Sequence, residues 1–481
     1  MKLSFSRLAA ISCLVAFAAN GLASLRPRYG GTARILLQHR VTLLDPSTDE
    51  DHPAERDRVA NLLFETLTSV DDQGRVHPRL AASWSADPAR RVWQFRLRLA
   101  RFTDGSPLTA GDVVASLKNA RPDWKITEFD RQTVSIESAS PVWHMPEALA
   151  LSKFAIVKRQ PDGSLLGTGA FKLGEWQPGE RAVLQMNEDY WGGRAYPDSI
   201  EFQMGASLRE QLVQRQLNGY AAAQITVDQL RVLDQTGQIV SLSRPADLLV
   251  IMFLQPDTVS PGRSGKRAVD PRVRQALAAS LNRTAISNVL LQKKGAPAAA
   301  LLPQWLTGYE FLFPSAQDAE RARKLVAEAA VTGPAPSISL AYDFADPLTK
   351  LVAERIAVDA REVGIKVQPY GDAHVNQKSA QATLNADAIL LRIALPSLEP
   401  GVALAALAAD LRMDSDTASA ALAAARPEDL YEIERKALES YRVIPVARVS
   451  QAVWLNANAR NWQQLPNGAW DLDQLWVEGA H

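Results

Sequence analysis

The residue types that most often carry out chemistry are present in this chain without the spacing that a reaction centre needs. The six histidines form no pair at a metal-binding interval, and we find no nucleophile elbow, phosphate-binding loop or dinucleotide fingerprint. The acidic run Asp49-Glu50-Asp51-His52 has no second set of ligands at a fixed spacing, so we interpret it as a solvated loop. We therefore expect no metal, no cofactor and no catalytic residue.

The composition is that of an ordinary globular protein. The chain has 481 residues, of which 47% are hydrophobic and 22% charged, enough for two or three domains with a sizeable core. Lysine plus arginine and aspartate plus glutamate both number 53, so no net field favours nucleic acid or an anionic membrane. We expect no nucleic-acid partner.

Residues 1–23 have the pattern of a cleaved signal peptide. Lys2 and Arg7 precede an apolar stretch from Leu8 to Ala19, and Gly21-Leu22-Ala23 is a small-x-small cleavage site. No later stretch reaches the roughly 18 apolar residues of a membrane span. The pattern predicts export of the chain.

The only cysteine, Cys13, lies inside this leader. The mature chain would therefore have no disulfide, and its stability must come from core burial. Acylation of Cys13, as in a lipoprotein, is an alternative that the poor lipobox Ala10-Ile11-Ser12 disfavours.

Residues 167–202 predict a compact β-hairpin unit. Gly167 and Gly169 flank Thr168 where the backbone needs a positive φ or a close approach, and an alternating strand begins at Phe171. Turns follow at Pro178-Gly179 and around Tyr190 to Gly193, and residues 199–204 can return as a third strand.

The order of these features resembles the signature of the family 5 extracellular solute-binding proteins, the peptide, nickel and oligosaccharide receptors of ABC importers. Residues 102–114 and 270–277 match the same family in the correct order. Both also have the chemistry of helix starts: Thr109 can cap a helix together with Asp112, and Asp270 can cap one whose first residue is Pro271. We expect this second helix to continue to about Gln292.

The resemblance implies an α/β fold of the two-lobed periplasmic-binding-protein type, in the large class with an extra subdomain, with mixed sheets flanked by helices and a hinge between the lobes. The predicted divisions are the signal peptide at 1–23, the core of the first lobe at 24–47, 168–254 and 446–481, the extra subdomain of the first lobe at 48–167 and the second lobe at 255–445.

Other patterns refine this expectation. Helical spacing predicts a helix from Arg56 to Ser69, and Leu208–Leu217 is a second amphipathic candidate. The apolar run from Leu248 to Leu254 predicts a strand buried on both faces. A strand, helix, strand pattern over 337–369 predicts a largely parallel sheet in the second lobe.

Five residues are candidates for ligand contact by their position in the resemblance: Leu44, Phe253, Gln255, Trp305 and Arg392. Peptide receptors of this type carry a tryptophan and a nearby aspartate where this chain has Arg392 and, further on, only the displaced Glu399. Arg392 could bind an anionic or hydroxyl-rich solute, and a rim salt bridge is the alternative. The missing aspartate argues against a simple dipeptide ligand.

The resemblance predicts an exported, monomeric receptor of an ABC importer, located in the periplasm. It would capture an oligopeptide or related polar solute between its lobes and deliver it to the membrane permease. A ligand-sensing or degenerate binding protein without a transport role is the alternative, and a secreted hydrolase is a third.

Overall fold

The computed structural model describes residues 27–48, 50, 52–120, 124–205, 219–226, 229–230, 233, 238–255, 268–331 and 335–478. The predicted signal peptide, Cys13 and the predicted helix Leu208–Leu217 lie outside the described residues. Within the described part, no helix is long and apolar enough to span a membrane.

Most strands lie in three sheets. In chain order the strands are β1 (Thr32–Leu37), β2 (Thr68–Val70), β3 (Val76–Pro78), β4 (Ala81–Ala86), β5 (Val92–Leu97), β6 (Lys125–Asp130), β7 (Thr133–Glu137), β8 (Lys158–Arg159), β9 (Leu165–Leu166), β10 (Phe171–Gln177), β11 (Arg181–Met186), β12 (Ser199–Met204), β13 (Ala222–Ile225), β14 (Ile239–Leu242), β15 (Asp247–Phe253), β16 (Gly295–Pro297), β17 (Ser337–Asp343), β18 (Lys366–Asp372), β19 (Ala388–Ile393), β20 (Val443–Val449), β21 (Ala452–Leu455), β22 (Ala459–Arg460), β23 (Gln463–Gln464), β24 (Trp470–Asp471) and β25 (Trp476–Val477).

The α-helices are mostly short and lie between these strands. In chain order they are α1 (Pro53–Leu63), α2 (Ala110–Ala120), α3 (Met145–Ala148), α4 (Pro271–Ser280), α5 (Arg283–Ala285), α6 (Gln304–Thr307), α7 (Ala319–Ala330), α8 (Pro347–Arg361), α9 (Lys378–Gln381), α10 (Pro400–Asp410), α11 (Ser415–Ala423) and α12 (Pro427–Leu438).

The sheet of the first lobe contains the predicted hairpin unit. Its described strands run in the order β10-β11-β12-β1-β13-β21-β14, with β1 parallel to both β12 and β13 and the other pairs antiparallel. The strands predicted after Gly169 therefore form one edge of this sheet. The C-terminal strand β21 returns to the same sheet, which ties the two ends of the chain together.

The sheet of the second lobe has the strand order β16-β20-β15-β19-β17-β18. Strand β17 is parallel to β18 and β19, whereas β15 is antiparallel to β19 and β20, and β16 is antiparallel to β20. The expectation of a largely parallel sheet is wrong here, because strands from before and after the strand, helix, strand unit join it in the opposite direction. The mixed sheets predicted for the fold as a whole are present.

Strand β15 is buried on both faces, as its apolar run predicted. Leu249, Ile251 and Phe253 pack with α4, α7 and α8 on one side of the sheet. The alternate residues Leu248, Val250 and Met252 pack into a core with α10, α11 and α12. A central strand covered by helices on both sides needs no polar face.

The chain passes between the two sheets at 243–246, before β15, and at 450–451, after β20. We call these the crossing segments. They lie side by side, since Ser243 N donates to Gln451 O at 3.0 Å and Gln451 N donates to Ser243 Oγ at 2.9 Å. We propose lobe boundaries at these segments, in place of the divisions after residues 254 and 445 predicted from sequence.

The extra subdomain has its own sheet, in the order β4-β5-β7-β6, with α2 packed against it. The capping pair predicted at the start of α2 is confirmed: Thr109 N and Oγ1 donate to Asp112 Oδ2 at 2.9 and 2.6 Å. The subdomain also reaches the second lobe, where Trp143 N donates to Leu422 O at 3.1 Å.

Two predicted helices differ in extent. The first is Pro53–Leu63 instead of Arg56–Ser69, because Phe64 adopts extended geometry and the chain continues into β2. The second begins at Pro271 as predicted, with Asp270 accepting from Arg272 N at 2.8 Å, but ends at Ser280 instead of about Gln292. Leu281 is extended, and Asn282 then caps a new short helix by accepting from Ala285 N.

Candidate ligand-binding site

A cavity of about 590 Å³ lies between the two lobes, and its lining includes Gln451 of one crossing segment and Asp247, the residue that follows the other. We call it the cleft cavity. Its walls come from residues 38–58 and 224–225 of the first lobe, 151–153 of the extra subdomain and 343–410 of the second lobe, with Asp247, Gln451 and Ala452 at the crossing. Polar and charged side chains dominate the lining, which suits a hydrophilic solute.

The first-lobe wall is the N-terminal half of α1, and the hairpin unit fixes this helix. A Cβ on Gly167 would lie 1.9 Å from Leu63 O, and one on Gly169 would lie 2.3 Å from Leu62 O, so only glycine allows this contact. The close approach predicted for these glycines is confirmed.

Glu65, just beyond α1, is completely buried and joins the hairpin unit to the helix. Its carboxylate accepts from Thr168 Oγ1 at 2.8 Å, Tyr190 Oη at 3.0 Å and Trp191 Nε1 at 2.8 Å. Arg79 Nε lies 3.0 Å away and compensates the charge. The Thr, Tyr and Trp of the motif therefore serve to position α1.

Two ion pairs lie on the side of this helix that lines the cavity. Arg58 Nη1 contacts Glu55 Oε1 at 3.1 Å, and Arg56 Nη2 contacts Asp57 Oδ1 at 2.8 Å. Burial opposes the ionisation of Glu55, but Arg58, two nearby histidines and a hydrogen bond from Gln224 together outweigh it and lower the pKa of Glu55 to about 2. Both arginines are thus already paired within the wall.

A polar network joins the lobes at the floor of the cleft cavity. Arg58 Nη2 of the first lobe donates to Gln451 Oε1 at 2.6 Å, and Gln451 Nε2 donates to Asp247 Oδ1 at 2.7 Å. Asp247 Oδ2 then accepts from Arg392 Nε at 3.0 Å. Asp247 and the neighbouring Asp346 raise the pKa of Arg392, although burial opposes this. The network runs from α1 through a crossing segment into the second-lobe sheet.

The second lobe contributes further acidic and amide groups to the cavity. We call Asp343, Asp346, Thr349, Asn376 and Gln381 the second-lobe wall. Asp343 ends β17 and Asp346 caps α8, accepting from Leu348 N at 2.9 Å. Lys378 and Asp410 form an ion pair at 2.6 Å at the edge of this wall.

Two histidines line the first-lobe side of the cavity. The rings of His39 and His52 stack with centroids 4.0 Å apart. Burial lowers the pKa of His39, although Glu55 and Asp346 oppose the shift. In the described part of the chain, no group of His, Cys, Asp and Glu has an arrangement that could hold a metal ion.

A second cavity of about 470 Å³ adjoins the first. Arg58, Leu151, Ser152 and Pro396 line both. The adjoining cavity also contacts Trp191 and Trp470, and the indole Nε1 of Trp470 has no hydrogen-bond partner. Together the two cavities offer polar and aromatic surface to a ligand longer than one residue.

The chain that forms this cleft matches a known protein family. A family model described as bacterial extracellular solute-binding proteins, family 5 Middle, matches residues 75–410, well over half of the chain. The chain belongs to this family. Among curated relatives of this family 5 protein is the periplasmic oligopeptide-binding protein OppA of Escherichia coli strain K12, 25% identical over 378 residues and covering 68% of each chain.

Solved structures share the fold of the family 5 protein. The binding protein AgaA from A. tumefaciens R10, in complex with agropinic acid, has a TM-score of 0.79 at 18% identity and covers 94% of this chain and 99% of its own. Haemophilus influenzae OppA in complex with the peptide RPPGFSPFR has a TM-score of 0.77 at 17% identity, covering 94% and 100%. Both support the two-lobed architecture.

Of the five predicted ligand contacts, the structure places only Arg392 in the cleft cavity of this family 5 protein. Leu44 is 6% exposed in the first-lobe core, and Phe253 is 2% exposed in the second-lobe core, so both lie in cores rather than on the cavity wall. Trp305 donates from Nε1 to Pro245 O at 3.1 Å and so supports a crossing segment. Contact of Gln255 or Trp305 with a ligand stays a prediction.

Sequence reasoning missed most of the residues that build the cleft. Asp247 had a visible signal, since it is a carboxylate at the start of an otherwise apolar strand. Gln451 and Arg58 had none, because their roles depend on partners 393 residues apart in the chain. The displaced Glu399 does not line the cleft cavity: it caps α10 by accepting from Val402 N at 2.6 Å and lies 3.5 Å from His144.

Proposed function

We propose that this family 5 protein is an exported receptor of an ABC importer that binds an oligopeptide or related polar solute in the cleft cavity and delivers it to a membrane permease. The observation that carries the proposal is the cavity itself: a polar space of about 590 Å³ between two lobes that are joined by adjacent crossing segments. Such an arrangement can enclose a solute by rotation of one lobe against the other.

Two further features support the peptide class. The curated relative OppA is named an oligopeptide-binding protein, and the solved Haemophilus OppA holds a nine-residue peptide. The adjoining cavity extends the available space by about 470 Å³. The chain lacks the aspartate that peptide receptors of this type carry after the strand corresponding to β19, so we expect a ligand bound by other charges than those of a simple dipeptide receptor.

The proposal includes a periplasmic location, a monomeric state and no enzymatic activity. The family and the curated relatives support the binding role, and the predicted signal at residues 1–23 supports export. A protein that senses a ligand without serving a transporter is the second candidate. The open volume of the cleft cavity favours a protein that still binds a solute over one whose site has been filled.

The test is to purify the mature chain without denaturant, unfold it, and identify the released small molecules by mass spectrometry. Thermal-shift scans against peptide, sugar and metal libraries run in parallel. A retained peptide, or a peptide that raises the melting temperature in proportion to the logarithm of its concentration, supports the proposal. No retained solute together with no shift from any library contradicts it.

A further inference from the structure

The second-lobe wall carries negative charge that its own side chains do not neutralise. Asp343 is 6% exposed, and its oxygens accept from Ala345 N and Asn376 Nδ2, both at 2.8 Å. Neither donor is a cation. Asp346 is 5% exposed and accepts from Leu348 N, with Arg392 Nη1 3.7 Å from its second oxygen.

The nearest cation is already engaged elsewhere. Arg392 Nε and Nη2 lie 3.0 and 2.9 Å from Asp247 Oδ2, so its charge is shared between Asp247 and Asp346. Arg392 lies closer to Asp247 than to Asp346, so Asp343 and Asp346 leave the second-lobe wall with excess negative charge. An incoming anion would have to displace Asp247 from Arg392 and would face both aspartates.

A second, independent feature of the same wall also calls for a donor. Gln381 is 2% exposed and lines the cleft cavity. Its Nε2 donates to Val375 O at 2.8 Å, which fixes the orientation of the amide. Among the described residues, its Oε1 has no hydrogen-bond partner. A buried acceptor without a donor is unfavourable, and a ligand N–H group would satisfy it.

The other basic side chains of the cavity for which an ion pair is described are also paired with carboxylates. Arg56 is paired with Asp57, Arg58 with Glu55, and Lys378 with Asp410. The Arg56–Asp57 and Arg58–Glu55 pairs are each neutral, so they add no net charge to the first-lobe side. The charge that a solute must complement is thus located on the second-lobe wall.

We propose that the second-lobe wall binds a positively charged nitrogen group of the solute, an ammonium or a guanidinium, between Asp343 and Asp346, with Gln381 Oε1 as a neutral acceptor nearby. This inference rests on the proposed function and names the ligand chemistry of the same cleft. An ammonium or guanidinium group has only donors, which matches a wall of acceptors.

The test uses three tripeptides that are acetylated and amidated at their ends, so that only the central side chain differs: Ala-Lys-Ala, Ala-norleucine-Ala and Ala-Glu-Ala. Arginine and putrescine are added as cations that are not peptides. Titration calorimetry on the mature full-length chain gives each affinity. We expect the lysine peptide to bind at least tenfold more tightly than its norleucine isostere, and the glutamate peptide to bind most weakly.

Matched variants assign the effect to the wall. Asp343→Asn and Asp346→Asn remove one charge each, and asparagine retains the helix cap at 346. Asp318→Asn is the control, because Asp318 caps α7 in the same lobe by accepting from Arg321 N but does not line either cavity. We expect each wall variant to reduce the ratio of lysine-peptide to norleucine-peptide affinity about tenfold, and the control to leave this ratio unchanged.

The outcomes separate this inference from the proposed function. Equal binding of the lysine and norleucine peptides, or tighter binding of the glutamate peptide, overturns the inference but leaves the peptide receptor intact. Binding of arginine or putrescine without any peptide supports the inference and contradicts the peptide assignment. Failure of every cationic probe to bind overturns the inference. If the wall variants do not fold, the charge series on the unmodified protein decides.

Discussion

Arg392 Nε donates to Asp247 Oδ2 at 3.0 Å, and Asp247 Oδ1 in turn accepts from Gln451 in a crossing segment. The buried carboxylate of Asp247 therefore links the second-lobe sheet to the crossing segment at 450–451. It also occupies the cation that sequence reasoning assigned to a ligand. The alternative predicted for Arg392 was a salt bridge at the rim of the cleft. Arg392 does form a salt bridge, with Asp247, but the pair lies at the floor of the cavity.

Replacing Asp247 tests how much this link stabilises the fold. Asp247→Asn leaves Arg392 with reduced compensation, and we expect the free energy of unfolding in urea to fall by about 3 kcal/mol. The double variant Asp247→Asn with Arg392→Met should recover much of the loss, because an uncharged pair has no buried charge to compensate. A loss in the double variant as large as in the single one would contradict this account.

The close contact of Gly167 with α1 gives a second prediction. Gly167→Ala places a methyl group 1.9 Å from Leu63 O, so α1 or the hairpin must move. We expect a loss of about 3 kcal/mol or more in the free energy of unfolding. Gly219→Ala is the control, since its Cβ would meet only Arg34 Nη1 at 3.8 Å. Similar melting temperatures for the two variants would show that the hairpin does not fix the helix.

The buried carboxyl group of Glu434 should make the free energy of unfolding depend on pH. It is completely buried and accepts from Leu301 N, Leu302 N and Tyr309 Oη, and burial raises its pKa from 4.5 to about 7. The folded chain therefore binds this proton more tightly than the unfolded chain. Its stabilisation is complete below about pH 4.5 and is lost as the pH rises to about 7, by up to about 3 kcal/mol.

The measurement is urea unfolding at several values between pH 4.5 and 8. Glu434→Gln should remove this part of the pH slope, and Glu432→Gln, an exposed acid on the same helix, should not. The same slope in the Glu434→Gln variant and the unmodified protein would refute the assignment.

The contact between His144 and Glu399 predicts that ligand affinity varies with pH. His144 of the extra subdomain lies 3.5 Å from Glu399 of the second lobe and 3.9 Å from Glu147. These carboxylates raise the pKa of His144, Glu147 first, although burial and Arg90 oppose the shift. The favourable charge pair is therefore present below the ordinary histidine pKa of about 6.5 and is lost as the pH rises through the raised value.

Because this contact joins the subdomain to the second lobe, we expect solute affinity to fall about threefold to tenfold between pH 6 and 8.5. His144→Gln should flatten the profile in titration calorimetry, and His374→Gln, at an exposed histidine that lines neither cavity, should retain it. An unchanged profile in the His144 variant would exclude this contact as the cause.

Local chemistry made part of the fold predictable. Gly167 and Gly169, the Thr109–Asp112 cap and the Asp270-Pro271 helix start each depend on neighbours in sequence, and the structure confirms them. Helix ends were less predictable. Phe64 and Leu281 adopt extended geometry, because the chain continues from Phe64 into β2 and from Leu281 into α5. The parallel strand, helix, strand unit was visible, but the antiparallel strands that join it come from distant parts of the chain.

A residue of the site could be predicted from sequence only where its own type and position distinguished it. Arg392 stands out as a cation after a buried strand, yet its partner Asp247 is 145 residues away. Phe253 is an aromatic residue of the kind that lines ligand clefts, and only the structure shows that helices cover it. The second-lobe wall depends on the fold bringing the end of β17, the start of α8 and helix α9 together, which no local pattern encodes.

The central claim is that a solute occupies the cleft cavity between the lobes, and filling that cavity tests it most directly. Ala394 lines the cavity, whereas Ala316 is exposed and lines neither cavity. We would measure, by mass spectrometry of natively purified protein and by thermal shift with the peptide library, the solutes bound by the unmodified chain, by Ala394→Trp and by Ala316→Trp. The account predicts that binding is lost in Ala394→Trp alone. Equal binding by all three proteins would contradict it.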